Sequence, residues 1–102
     1  MRAVRLSRTY REEFLALLSQ GLPRFGAKVV AEKRERVIDT IDNFLAHHPV
    51  RSVDPILGIC AYPVTKTPFV ILYDYDDAEL RIHLVIHASA DRTLVDLSTV
   101  VW

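Results

Sequence analysis

Pro49 divides this chain into two stretches whose apolar residues repeat with different periods. Before it they recur every three or four positions; after it they alternate. A period near 3.6 places a stripe on one side of a helix, and a period of two places a stripe on one face of a strand. The chain therefore combines both kinds of element, in that order. Val30, Val37, Ile38, Ile41, Phe44 and Leu45 line one face of a helix predicted from about Gly26 to His48, with Glu32, Lys33, Glu35, Arg36, Asp39 and Asp42 on the rest. Pro49 stops it, because proline has no N–H to donate and its ring clashes with the preceding turn.

Ahead of that helix, Ser7 or Thr9 stands before Glu12 and Glu13, an N-cap with acids in the first turn. Tyr10, Phe14, Leu17, Leu18 and Leu22 follow at helical spacing, and Gly21 with Pro23 marks the predicted end. Two helices separated by a few residues imply an antiparallel hairpin. Ala3-Val4-Arg5-Leu6 alternates and reads as a short strand. Beyond Pro49, Ile56–Tyr62, Pro68–Tyr75 and Glu79–His87 read as strands rich in Ile, Val, Leu and Tyr. Asp76-Asp77-Ala78 makes a tight polar turn that pairs the last two antiparallel. In the last strand Leu80, Ile82, Leu84 and Ile86 are expected on one face, and Arg81, His83, Val85 and His87 on the other. The hairpin covers the first face and leaves the second to solvent or a partner. The order β-α-α-β-β-β describes an α+β domain over residues 1–102, a helical hairpin packed on one face of a small, largely antiparallel sheet.

A chain of 102 residues hides roughly 65% of its unfolded surface, enough for one modest core. Thirteen basic and thirteen acidic side chains cancel, whereas a dedicated nucleic-acid binder carries a basic excess. The balance is uneven: residues 1–50 hold 9 basic and 6 acidic side chains, residues 51–102 hold 4 and 7. A single cysteine, Cys60, excludes an internal disulfide and a cysteine zinc cluster. No apolar run approaches the ~18–20 residues that span a bilayer, and the N-terminus lacks the apolar stretch of a signal peptide, so cytosol is the expected location. The three glycines are scattered and form no phosphate-binding loop. No cofactor or metal is expected.

Several side chains invite a chemical reading beside a plainer one. His83 and His87, four apart on one strand, would share a face with Cα atoms about 13 Å apart. One of them with Arg81 could serve acid–base cleavage of a phosphodiester; the plainer reading is half-exposed histidines at an interface. Asp91-Arg92 is a candidate carboxylate and cation, or else a turn cap bridging to a neighbour. His47-His48 falls at a helix end, where the macrodipole favours a cation. Cys60 has no basic neighbour to lower its pKa and is expected to pack inside. Tyr62, Tyr73 and Tyr75 would stack on bases in a nucleic-acid binder and otherwise pack at the sheet. Arg2, Arg5, Arg8 and Arg11 radiate from the first strand and helix start, either to attract an acidic partner or to be solvated.

The element order, with particular residues, resembles the RelE/ParE superfamily of toxins from bacterial type II toxin–antitoxin systems. Ser7-Arg8-Thr9-Tyr10-Arg11-Glu12-Glu13-Phe14 is similar to that family's capped first helix. Ala61-Tyr62-Pro63 and Phe69-Val70-Ile71-Leu72-Tyr73 are similar to its next strands. Leu80–His87 followed by Asp91-Arg92 resembles the ParE-type ending. The resemblance implies a cytosolic, growth-inhibiting toxin silenced by a small ParD-like antitoxin. RelE-like members cleave messenger RNA on the ribosome; ParE-like members poison DNA gyrase. Where the nucleases carry basic and tyrosine side chains, this chain has Val70, Ser89, Ala90 and Asp96, which points to the ParE-like branch and DNA gyrase as target. On this expectation Asp91, Arg92 and Trp102 contact the target, and Leu15, Leu18, Val30, Val37, Leu57 and Phe69 form an apolar groove for the antitoxin. The alternatives are a ribosome-dependent endoribonuclease using His83, His87, Arg81 and Arg92, and a non-toxic relic that only binds antitoxin.

Overall fold

A computed structural model describes all 102 residues. Strand β1 (Ala3–Leu6) leads into a helical segment α1 (Arg8–Asp39), continued by a π-helical turn (Thr40–Leu45). Strands β2 (Cys60–Pro63), β3 (Phe69–Tyr75) and β4 (Glu79–His87) follow, then two single 3-10 turns, Arg92–Leu94 and Leu97–Thr99.

The segment α1 is broken at Gly26, whose φ of 81° and ψ of 163° lie in a region open essentially only to glycine. The chain turns back there, so that residues 8–25 and 27–39 form two packed arms. Tyr10, Phe14 and Leu18 of the first share a cleft with Arg34, Ile38 and Ile41 of the return. The hairpin expected from periodicity is present, but its first arm runs through Gly21 and Pro23 rather than ending at them. Gly21 faces the return arm, where a Cβ would meet Val30 Cγ2 at 3.4 Å, in van der Waals contact. Pro23 forfeits one backbone hydrogen bond in the last turn, where the helix is about to end. The second arm closes at Leu45, short of the predicted His48, through the wide turn in which Ala46 N–H donates to Ile41 O at 3.0 Å.

The strands lie in the order β1-β4-β3-β2, with β1 parallel to β4 and the other pairs antiparallel. Strand β4 has the predicted limits, whereas the strand expected over Ile56–Tyr62 shrinks to Cys60–Pro63. The lost residues form a turn: the Asp54 carboxylate accepts the N–H groups of Ile56 (2.9 Å) and Leu57 (3.1 Å), and Gly58, at φ 75°, closes it.

One irregularity redirects the sheet. Leu72 pairs with Leu84 but Tyr73 pairs with Ile82, so His83 is an extra, unpaired residue in β4. An added residue inverts the facing of everything beyond it. Leu80, Ile82 and Val85 therefore face the helices, while Leu84 and Ile86 turn to the other side with Val70 and Leu72. This corrects the expected unbroken alternation. The carbonyl freed at the bulge is taken by Ser7, which is fully buried: its hydroxyl donates to His83 O (2.6 Å) and accepts Tyr10 N–H (2.8 Å). Of the two candidate caps, Ser7 is the one used.

Two apolar layers result. The larger joins Tyr10, Phe14, Val37, Ile41 and Leu45 to Phe69, Ile71, Tyr73, Leu80 and Ile82. Within it Phe14 stacks on Tyr10 (5.6 Å) and meets Phe69 edge-on (5.5 Å). The smaller layer, Val70, Leu72, Leu84 and Ile86, is roofed by Leu57, Ile59 and Ala61 before β3, and by Val95, Leu97 and Val100 of the C-terminal tail. The second sheet face, expected to be open, is thus largely covered. No helix is long and apolar enough to cross a membrane.

Candidate partner-binding surfaces

The side chains nominated for chemistry are held apart by the fold. On the second face, at the β3–β4 turn, the Arg81 guanidinium binds three carboxylates: Asp74 at 2.8 Å, Asp76 at 2.8 Å and Glu79 at 2.9 Å. These bonds push the Arg81 pKa further up. The Arg81 bond, with the amides of Glu79 and Ala78, pulls Asp76 down to about 2. Burial favours neutral Asp74, but its bonds from Arg81 and His83 outweigh this and hold it below the usual carboxylate range. A cation already shared among three anions has little left for a substrate phosphate.

His83 Nε2 sits 3.2 Å from Asp74 Oδ1, its Nδ1 is buried without a partner, and the ring meets Trp102 edge-on at 4.8 Å. His87 lies across the sheet, on the helical side, because the bulge falls between the two histidines. The Ser89 N–H donates to His87 Nδ1 at 3.1 Å, which leaves the ring proton on Nε2. The expected shared face of His83 and His87 does not exist. Arg92 is also remote and engaged: its Nε lies 2.9 Å from Asp54 Oδ2, although its N–H does not point at that oxygen. His83, His87, Arg81 and Arg92 therefore do not converge on any common point.

The tail is a strap across the second face. Asp91 caps its first turn by accepting from Thr93 N–H (3.0 Å) and Thr93 Oγ1 (2.7 Å), bonds that hold its carboxyl below the ordinary range. At the far end, Val101 O accepts the N–H groups of Arg8 (2.8 Å) and Thr9 (3.2 Å), two donors that a helix start leaves free. Trp102 lies under the Arg5 guanidinium at 5.0 Å and remains 40% exposed. Asp91 and Arg92 stand at one end of the strap and Trp102 at the other.

The six residues expected in one groove are likewise divided. Val37 is wholly buried in the larger core, and Leu57 roofs the opposite face of the sheet. Leu15, 66% exposed, borders a cleft of about 370 Å³ between the two arms, with Tyr10, Phe14, Leu18, Arg11 and Arg34. Leu18, Val30 and Phe69 line a larger groove of about 610 Å³ beside the hairpin tip, together with Leu17, Phe25 and Val29. Arg24, Lys33 and His87 also line it, with Gln20, Gly21 and Pro68, and no acidic side chain does. The tip residues Phe25, Val29 and Arg24 were missed by periodicity because they flank the Gly26 break, where the helical phase restarts.

The remaining candidates have structural places. Cys60 is a buried free thiol. Tyr73 is fully buried with its hydroxyl donating to Val50 O, and burial raises its pKa. Tyr62 packs on Phe44 at 5.5 Å and Tyr75 lies beneath Arg2 at 5.4 Å. No three His, Cys, Asp or Glu side chains are grouped for a metal.

No family model matches the chain, and no curated protein sequence matches it. Five solved chains match it in three dimensions. One belongs to the chromosomal ParDE toxin–antitoxin system from P. aeruginosa, at a TM-score of 0.71 and 10% identity, covering 85% of this chain and 96% of that one. At that identity the likeness is one of fold: an α+β arrangement, here a helical hairpin on a four-stranded mixed sheet.

Proposed function

We propose that this protein is the toxin component of a type II toxin–antitoxin system, that it acts by binding rather than by catalysis, and that a small ParD-like antitoxin silences it. The observation that carries the reading is the architecture it has in common with a chain of a ParDE system. The separation of His83 from His87, and the pairing of Arg81 and Arg92 with carboxylates, favours binding over phosphodiester cleavage. That chemistry requires a base, an acid and a free cation around one phosphate.

DNA gyrase is the proposed target, through the exposed apolar groups of the strap, Trp102 foremost. Incubating the purified chain with gyrase and relaxed plasmid tests this. Loss of supercoiling with accumulation of linear DNA is expected, and Trp102→Ala should weaken it at a temperature where circular dichroism shows the variant folded, since the indole also contacts His83 and Arg5. Undiminished supercoiling by gyrase, with a folded chain that arrests growth in cells, would sink the gyrase assignment.

A further inference from the structure

Two local irregularities of the fold converge on Trp102. The first is the β4 bulge, which leaves His83 without a partner in β3 and is accommodated because Ser7 takes up the His83 carbonyl. The second is His83 itself, whose side chain is mostly buried. Asp74 is ionised and can only accept, so Nε2 carries the ring proton in their 3.2 Å contact. Nδ1 is then left buried with no donor to meet it. An apolar side chain would fill that space without an unpartnered nitrogen, so packing alone does not account for a histidine here. What the bulge and the histidine share is the indole, which His83 meets edge-on at 4.8 Å. Breaches of local rules of this kind gather at functional sites.

The indole is held by more than His83. Arg5, on β1, lies over its ring at 5.0 Å. The preceding residue is fixed at both backbone groups: Val101 N–H donates to Thr9 Oγ1 at 2.8 Å, and Val101 O accepts from Arg8 and Thr9. Those groups belong to the helix start that Ser7 caps, so the bulge, the helix start and the far end of the strap form one connected set. Yet the ring stays 40% exposed. An indole serving only as cover for the sheet would be buried; this one is immobilised and presented.

We propose that Arg5 and His83 are positioning residues, which clamp the Trp102 indole in the orientation that meets the target. Neither needs to touch the target itself. The clamp lowers the ordering cost of binding, because the aromatic group is already in place when the two surfaces meet. The inference rests on the reading of the chain as a binding toxin for the target's identity, not for the clamp.

The chain has one tryptophan, so its fluorescence reports this side chain alone. In the full chain, His83→Leu removes the edge contact and the unpartnered nitrogen together. Its melting temperature should hold or rise, whereas a merely structural histidine would lower it on removal. Acrylamide should quench the indole faster, its anisotropy should fall, and inhibition of gyrase supercoiling should drop about fivefold, the worth of one aromatic contact. Arg5→Met, at the surface, tests the clamp independently of whether the core variant folds; it should loosen the indole and reduce inhibition about threefold, and Arg5→Lys should recover most of that. The deciding comparison is a double-mutant cycle. With Trp102→Ala in place, neither His83→Leu nor Arg5→Met should reduce inhibition further, since a residue acting through the indole has nothing left to hold. Unchanged quenching in both variants, full inhibition with a loosened indole, additive losses in the cycle, or losses that only follow a fall in melting temperature would each overturn the proposal. Growth arrest in cells is scored beside supercoiling. Untouched gyrase with the same ranking of variants in growth arrest would sink the gyrase assignment and support the clamp. Inhibition by the unsubstituted chain with no ranking among the variants would sink the clamp alone, and a chain with neither effect would overturn both.

Discussion

Ser7 shows how much one small side chain can decide. Its hydroxyl supplies the first-turn cap of α1 and satisfies the carbonyl released by the β4 bulge, from a position with no solvent access. Ser7→Ala removes both bonds at once and leaves a buried acceptor and donor without partners. A loss of about 1–3 kcal/mol in urea denaturation is expected, more than a solvent-exposed cap would lose. The Arg81 cluster sets the acid response. Asp74 and Asp76 have depressed folded-state pKa values, so the contribution of each is complete above about pH 4 and is lost as pH falls through its own folded-state value, about 2 for Asp76. The melting temperature should therefore drop between pH 4 and pH 2. In Arg81→Gln that drop should be shallower, because the guanidinium that favours both carboxylates is gone. Equal acid limbs in the two proteins would contradict this account.

At the scale of elements, the helical hairpin and the bulged strand do the positioning. The hairpin turns on Gly26, and open space around its Cα means that a methyl group there meets no atom within 4 Å. Gly26→Ala should nonetheless cost about 1–3 kcal/mol, from backbone conformation alone. Gly21→Ala, whose Cβ would only come into van der Waals contact with Val30 Cγ2 at 3.4 Å, should be the better tolerated of the two. Thermal melts of Gly26→Ala at unchanged helical content provide the measurement. In β4, the extra residue at His83 sends His83 and His87 to opposite faces and exchanges the burial of Leu84 and Val85. Most of the elements were legible in the sequence: the hairpin, the three alternating strands and the Asp76 turn follow from period and turn chemistry. The bulge was not, since Arg81-Ile82-His83-Leu84-Val85-Ile86 fits an unbroken alternation of two as well as an interrupted one.

For the molecule as a whole, the C-terminal strap is the component that converts an open sheet into a covered one. Val95, Leu97 and Val100 roof the smaller apolar layer, while the Arg92–Asp54 pair and the Val101 bonds to the helix start tie down its two ends. Removing residues 91–102 should then destabilise the chain by about 3 kcal/mol or more, from three lost apolar contacts alone. The truncated chain should also bind a hydrophobic dye through the uncovered Val70, Leu72, Leu84 and Ile86. Loss of activity in such a truncation would report unfolding as readily as a lost contact, which is why single substitutions at Trp102 are the sharper probe of target binding. A truncated chain as stable as the full one would refute the roofing role.

The residues by themselves determined what each segment is. A repeat of 3.6 before Pro49 and of two after it, a capping serine ahead of the first helix, and Asp76 before a polar turn are local signals, carried by neighbours within one or two turns of the chain; the acids expected in that helix's first turn fall beyond it, because the helix opens on Arg8. Tertiary structure alone decided which face each β4 residue takes, that Arg81 and Arg92 are already paired, and that the tail lies across the sheet. It also decided that Arg24 and Lys33 border an apolar groove. The course of the tail and the contacts of the hairpin tip depend on partners 33 to 92 positions away in sequence, as with Lys33 and Lys66 or Val101 and Thr9, and separations of that length leave no trace in local period or composition.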